Sequence, residues 1–210
     1  MITSMIDYIL RVEGDHLHRN STEDDITSPG GVYRVAHPDA EIFTYIDSVA
    51  DSLDIKTPSS EWSKEEINLI NQNLDHTMIH VLLGEFYDKY LYNAHMDLFP
   101  DELQILIFNL YTNSKTGTWK SIQRTLIHLQ ANDLLDVEKE QLSSVDGQFG
   151  SKTKHALDKI DFTNRYMVHI FKFETISNMR RYYADLVVSD PDKFLTYLRG
   201  WNNRLDNLLK

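Results

Sequence analysis

The sequence predicts a mainly α-helical protein. Apolar residues recur at helical spacing along most of its 210 residues, and no segment predicts a convincing β-sheet. Residues 63–66 also match a helix capping box, with a serine three positions before a glutamate. Hydrophobic residues make up 41% of the chain and charged residues 25%, so we expect a globular protein with one large or two small domains.

The first half contains three predicted helices and one long loop. The first helix carries an apolar stripe, and we expect Ser4 to cap its start and Gly14 to end it. Its stripe consists of Met5, Ile6, Ile9, Leu10 and Val12. Residues 15–38 are polar and predict a long loop, with a short hairpin around residues 31–37. The other two helices are predicted over residues 39–53 and 63–92.

The second half is predicted as five helices with one long loop. The helices are expected over residues 101–113, 119–130, 151–158, 162–186 and 191–208. An aromatic-rich helical half ends near residue 100. The sequence therefore predicts two regions, 1–100 and 101–210.

Charge and composition exclude several functions. The net charge is −11 and no long basic tract occurs, which argues against binding to nucleic acid or to anionic membranes. Because cysteine is absent, disulfides and thiol chemistry are excluded. No secretory signal is visible, and the most apolar window, residues 103–111, is too short to span a bilayer. We expect a protein made in the cytoplasm without stable membrane insertion.

Glu13 is the first candidate catalytic residue. It lies on the apolar stripe, four residues after Ile9, and in the last turn beside the negative end of the helix dipole. Both effects raise the pKa of a carboxyl group, and a carboxylic acid that stays protonated can act as general acid on a glycosidic bond. A solvated glutamate at a helix end is the alternative. The following loop offers candidate partners, namely Thr22, Glu23, Asp24, Asp25 and Thr27.

The segments "ILRVEGD" and "SPGGVYRVAH" resemble two motifs of the muramidases of glycoside hydrolase family 108, which are largely phage endolysins. In that family a helix ends in E-G-G and a loop of the type D-P-G-G-x-T follows; Glu13, Gly14 and residues 29–31 match. The loop before P-G-G is longer here. Three positions depart from the motifs: Asp15, Ser28 and Tyr33. Residues 86–114, 142–157 and 180–208 resemble further family segments in the same order, and residues 146–156 match a signature of small peptidoglycan-binding modules.

The resemblance implies a lysozyme-like helical catalytic lobe with a small loop and hairpin region, over residues 1–100, and a helical peptidoglycan-binding-like region over residues 101–210. It implies cleavage of the β-1,4 bond between N-acetylmuramic acid and N-acetylglucosamine by a monomeric endolysin without metal or other cofactor. Glu13 would be the acid, and Thr27 or Ser28 would position water. The family's supporting acid has no aligned equivalent in this sequence, but Asp24 or Asp25 could supply it from the longer loop as base or stabiliser. Expected substrate contacts are Ser28, Tyr33, His37, Tyr90 and Asn113.

Such an endolysin would act on periplasmic peptidoglycan and would need a separate membrane-permeabilising protein for its release. The alternative is a non-catalytic peptidoglycan-binding or virion structural protein that retains the fold.

Two groups of histidines could indicate a metal site, although this interpretation is weaker. His76 and His80 stand one helical turn apart, and His16, His18 and His37 flank the acidic loop. Surface or half-buried histidines are the default for both groups, so no metal site is predicted.

Overall fold

The computed structural model describes residues 2–19, 24–138, 142 and 144–209, and it confirms a mainly α-helical fold. The helices of this described part are α1 Ile2–Glu13, α2 Glu41–Ser52, α3 Lys64–Asn73, α4 His76–Asn93, α5 Asp101–Asn113, α6 Lys115–Ala131, α7 Ser151–Asp158, α8 Arg165–Ser189 and α9 Pro191–Leu209. None of them is long and apolar enough to cross a membrane. The chain forms two compact units, Met1–Lys89 and Tyr90–Lys210, whereas the sequence placed a boundary near residue 100.

The first unit buries the predicted stripe of α1 only in part. Met5, Ile6 and Ile9 are buried, whereas Val12 near the helix end is 38% exposed. Side chains from α2, α3, α4 and the intervening loops complete this core, chiefly Leu17, Ile26, Ile42, Phe43, Ile46, Ile70, Ile79 and Leu83. The expected cap at Ser4 is wrong, because α1 already begins at Ile2.

The predicted helix over residues 63–92 is two helices. The capping box is present, since the Ser63 hydroxyl accepts from the Glu66 N–H at 3.2 Å and the Glu66 carboxylate accepts from the Ser63 N–H at 2.7 Å. The Ser63 N–H and the Ser63 hydroxyl both donate to the Glu66 carboxylate and lower the pKa of Glu66. The break comes at Leu74, which is extended and 7% exposed. Asp75 then starts α4 by accepting from the Thr77 N–H at 2.8 Å.

The second unit is built on the contact between α6 and α8. Thr125 and Thr175 pair their hydroxyls at 3.2 Å, and Ser121 donates to the sulfur of Met179 at 3.4 Å. These side chains are buried, and the small size of the serine and the two threonines lets the two helices approach closely.

Two helices of this unit begin at other residues than predicted, and each start is capped by a polar side chain. Ser114 caps α6 at residue 115 and Asn164 caps α8 at residue 165, because their side chains accept the first free N–H groups.

The segment 146–149, which matches the peptidoglycan-binding signature, forms a turn held by one glutamine. Gln123 donates its amide N–H to the Asp146 carboxylate at 2.8 Å and to the Gln148 carbonyl at 2.9 Å, and it accepts from the Gly147 N–H at 2.9 Å. Phe149 stacks on the His95 ring at a centroid distance of 3.8 Å. These contacts give the segment a structural role.

Replacing Gly147 by alanine should destabilise the second unit. Gly147 has φ +77°, and an added Cβ would lie 2.7 Å from the Thr116 methyl carbon. We expect the free energy of unfolding to fall by about 1–3 kcal/mol in chemical denaturation. Gly200→Ala is the control, since an added Cβ there meets nothing within 4 Å and alanine favours the helix. Equal stability of Gly147→Ala and wild type would contradict this account.

The Asp146 carboxylate should make stability depend on pH. Hydrogen bonds from the Gln148 N–H and the Gln123 side chain hold the pKa of Asp146 below its ordinary value of 3.8. Because the folded pKa is the lower one, its contribution is present above the unfolded pKa and is lost as pH falls through the folded pKa. The stability difference between wild type and Asp146→Asn should therefore shrink below about pH 5. Asp136→Asn, which removes an exposed charge in the same unit, is the control; a stability difference for Asp146→Asn that stays constant with pH would refute the assignment.

Candidate functional site

The two motifs near Glu13 meet in the first unit through one backbone hydrogen bond. Gly14 ends α1 with φ +96°, and its N–H donates to the Leu10 carbonyl at 3.0 Å. The Gly14 carbonyl then accepts from the Gly30 N–H at 2.8 Å. The turn formed by residues 29–31, here called the glycine turn, is thereby attached to the end of the helix that carries Glu13.

The side chain of Glu13 lies against the glycine turn. A Cβ added at Gly31 would lie 3.1 Å from both Cβ and Cγ of Glu13 and 3.5 Å from its carboxyl carbon. Gly31 also has φ +80°, a conformation that favours glycine. Glu13 is half-buried, so its aliphatic part is covered while the residue remains partly accessible. Glycine at position 31 is what allows this close approach.

The other side of the glycine turn contacts α4. A Cβ added at Gly30 would lie 2.7 Å from a methyl carbon of Leu83. The buried hydroxyl of Tyr87 donates to the Gly30 carbonyl at 2.8 Å. Sequence reasoning missed both Leu83 and Tyr87, because a contact across more than fifty residues leaves no local pattern. Together they hold the backbone against which Glu13 packs.

Thr27 and Ser28 lie just before the turn and are buried. Thr27 exchanges two backbone hydrogen bonds with His18, at 2.8 and 3.0 Å, and also pairs with Tyr33 in a single antiparallel bridge. Ser28 is fully buried, and its hydroxyl donates to the Pro29 carbonyl at 2.9 Å. The expected hairpin around residues 31–37 is therefore displaced, because residues 27 and 33 pair across the glycine turn itself.

The two candidate second carboxylates differ in their surroundings. Oδ1 of Asp25 accepts from the Ser59 hydroxyl and from the Ile26 N–H, both at 2.7 Å. Asp24 is exposed, its N–H donates to the Tyr33 hydroxyl at 3.2 Å, and its carboxylate bonds to none of the residues described. Thr22 and Glu23 lie outside the described residues. Asp25 thus has a structural bond across the unit, whereas Asp24 does not.

Arg34 fixes the segment that carries Tyr33 and His37. Its guanidinium makes two bonds to the Asp47 carboxylate of α2, at 2.7 and 2.5 Å, and this pairing raises the pKa of Arg34. Arg19 donates to the carbonyl of Ser59 and so ties the turn before α3 to the same loop. His37 meets the ring of Phe86 edge-on at a centroid distance of 5.0 Å. Phe86 lines a small cavity of about 220 Å³ between α2 and α4.

Two of the expected substrate contacts belong to the second unit. The Tyr90 ring lies 5.2 Å below the Lys115 ammonium group, and burial raises the pKa of Tyr90. Asn113, the last residue of α5, donates its side-chain amide to the Asn109 carbonyl at 2.7 Å. The structure therefore places Glu13, Thr27 and Ser28 at the glycine turn. Tyr90 and Asn113 instead contact other residues of the second unit.

The histidines show no metal-binding arrangement in the part of the chain that the structure describes, where no group of three or more potential ligands is found. His80 lies with Nε2 3.0 Å from the Asp7 carboxylate, and Nδ1 of His18 lies 3.1 Å from the His16 carbonyl. His16 itself pairs with its neighbour Asp15. Each of these contacts is a pair rather than a cluster.

Comparisons of this chain with protein-family models, with curated proteins and with solved structures find no match. The interpretation of the site therefore depends on its geometry and on the motif resemblance around Glu13. The geometry of the site does not derive from the motif resemblance, so it is an independent observation.

Replacing Tyr87 by phenylalanine should loosen the glycine turn. The change removes the hydroxyl that donates to the Gly30 carbonyl, in a site where Tyr87 is only 7% exposed. We expect the free energy of unfolding to fall by about 1–3 kcal/mol, because a buried carbonyl loses its partner. Tyr92→Phe is the matched control, since Tyr92 is 81% exposed and should change little. Indistinguishable unfolding curves for the two variants would argue against the role of this bond.

Proposed function

We propose that this protein is a peptidoglycan hydrolase that cleaves the β-1,4 bond between N-acetylmuramic acid and N-acetylglucosamine, with Glu13 as the general acid. One observation carries the proposal. The carboxyl-bearing side chain of Glu13 packs on Gly31, in the turn that the motif resemblance associates with it. Two motifs separated by a long loop thus form one structural unit.

The chemistry needs an acid that is held in place and accessible from solvent. Glu13 is half-buried, its Cβ and Cγ rest on Gly31, and the Gly14–Gly30 hydrogen bond fixes the backbone beneath it. A carboxylic acid in such a position can protonate the leaving oxygen of a glycosidic bond. Rigid placement matters because general acid catalysis depends on hydrogen-bond reach to the reacting oxygen.

Asp24 is our choice for the second carboxylate. Asp25 already uses Oδ1 for two hydrogen bonds, one of them to Ser59, whereas the Asp24 carboxylate bonds to none of the described residues. A free carboxylate can activate water or stabilise positive charge at the anomeric carbon. The separation of the two carboxyl groups in the bound complex would determine whether the configuration is inverted or retained.

In this proposal the protein acts as a monomeric phage endolysin. It is made in the host cytoplasm, reaches the periplasmic peptidoglycan after a separate protein permeabilises the membrane, and cleaves glycan strands during host lysis. Tyr33 and His37 would contact the glycan beside Glu13. Tyr33 is favoured because its hydroxyl already holds the backbone of Asp24.

A non-catalytic peptidoglycan-binding or virion structural protein is the second candidate. It is favoured by the structural use of residues that the enzyme would need, since Ser28 is fully buried and Asp25 is bonded to Ser59. A protein that had lost catalysis would keep the glycine turn for its fold. The two candidates differ in whether purified peptidoglycan is cut.

The test is the release of soluble muropeptides and new reducing ends from purified sacculi. Glu13→Gln should lower the rate by at least about 100-fold, because the amide cannot donate an acidic proton. Asp24→Asn should also lower it, by about 10- to 100-fold. Glu65→Gln is the control, since Glu65 is exposed on α3 and should keep full activity. Unchanged unfolding curves for Glu13→Gln would show that the loss is chemical.

The outcomes separate the two candidates. If the wild-type protein sediments with sacculi and releases nothing, it is a binding protein and the enzymatic proposal falls. If Glu13→Gln digests sacculi as fast as wild type, the protein is an enzyme whose acid is another residue. Full activity of Asp24→Asn with loss in Asp25→Asn would move the second role to Asp25.

A further inference from the structure

A cavity of about 610 Å³ opens in the second unit between α6 and α8. Its size is that of a small-molecule site, for which volumes of about 300–1,000 Å³ are usual. The walls combine two guanidinium groups, polar side chains and aliphatic side chains. None of these residues belongs to the catalytic site proposed around Glu13.

The cavity collects positive charge in an acidic protein. Arg124 and Arg181 both line it, in a chain whose net charge is −11. Nη2 of Arg124 donates to the Asp185 carboxylate at 3.3 Å, whereas Nη1 is buried and has no partner among the residues described. Arg181 is exposed and forms no ion pair with any residue of the described part. Guanidinium N–H groups without acceptors favour an anionic ligand.

The one carboxylate in the lining is already accompanied. Oε1 of Glu174 lies 3.7 Å from Nε2 of His128, which is itself in the lining. Asp185, outside the cavity, neutralises part of Arg124 and has a side chain that is 59% exposed. Among the described residues of the lining, Arg124 already pairs with Asp185, and Arg181 is the guanidinium that no described carboxylate neutralises.

The rest of the lining fits a peptide rather than a bare inorganic anion. Asn178 donates its amide to the Thr125 hydroxyl at 3.2 Å, which leaves its amide oxygen as an acceptor, and the exposed Ser177 hydroxyl lies beside it. Such groups can bind a backbone amide. The aliphatic part of the lining consists of Ile127, Ala131 and Val145, which suits small apolar side chains.

We propose that this cavity binds the free carboxylate end of a short apolar peptide. Arg181 would bind the terminal carboxylate beside the guanidinium of Arg124, and Ser177 and Asn178 would bind the preceding amide. The chemistry is shared by the C-terminus of a protein and by the peptide of a cell wall, which differ in the chirality of their residues. The inference does not depend on the proposed hydrolase activity, because it concerns a separate unit.

The experiment titrates the full-length protein with N-acetyl-alanyl-alanine in its L,L and D,D forms, by calorimetry and by amide chemical shifts. At least one form should bind saturably, with shifts at Ser177 and Asn178. The matched ligand N-acetyl-alanyl-alanine amide, which lacks the charge, should bind at least tenfold more weakly, which is about 1.4 kcal/mol. The preferred chirality assigns the source, L,L for a protein and D,D for a wall peptide.

Variants locate the binding. Arg181→Gln should weaken it at least tenfold, whereas Arg199→Gln, which removes an exposed arginine of α9, should leave it unchanged. Ala131→Trp should also weaken binding by filling the apolar side. The proposal is overturned if neither form binds at millimolar concentration, if the amide binds equally well, or if Arg181→Gln has no effect. Inorganic phosphate that binds as tightly as the peptide would equally overturn it, since the cavity would then be a simple anion site.

Discussion

The first unit depends on the hydrogen bond between the Gly30 N–H and the Gly14 carbonyl. A helix end leaves its last carbonyls without partners inside the helix, and here a turn from farther along the chain satisfies one of them. The same bond places Gly30 against Leu83 and Gly31 against Glu13. One backbone contact therefore joins α1, the glycine turn and α4. The position of the backbone beneath the candidate acid follows from that junction.

The second unit depends on small buried side chains between two long helices. The Thr125–Thr175 pair and Ser121 allow α6 and α8 to lie close together over the middle of their lengths. The larger Arg124, which precedes Thr125 in α6, and Arg181 of α8 line an open cavity. Close packing and the cavity are thus two results of one alternation between small and large residues. The first gives stability, and the second is the cavity for which we propose a ligand.

Periodicity predicted the helices well because helical contacts are local. Both ends of α5 and α7 and the C-terminal end of α1 were predicted to within a residue, and the capping box at Ser63 is present as expected. The break at Leu74 was missed, since burial of an extended leucine depends on the rest of the core. In the site, the motif resemblance singled out Glu13 and residues 29–31, whereas their packing against each other was not predicted. The sequence did not predict that Asp25 bonds to Ser59 or that Ser28 is buried, because both facts arise from distant segments.

Gly31 is subject to two constraints that act through different atoms. Its positive φ concerns the backbone, and the close approach of Glu13 concerns the position that an L side chain would occupy. A residue of opposite chirality accepts the positive φ and directs its Cβ to the other face of the α-carbon, away from the L position beside Glu13. The chirality of the residue at position 31 would therefore separate the backbone constraint from the steric constraint. Among the genetically encoded residues only glycine satisfies both the positive φ and the close approach of Glu13. The achiral glycine therefore occupies a position whose geometry suits a D-residue.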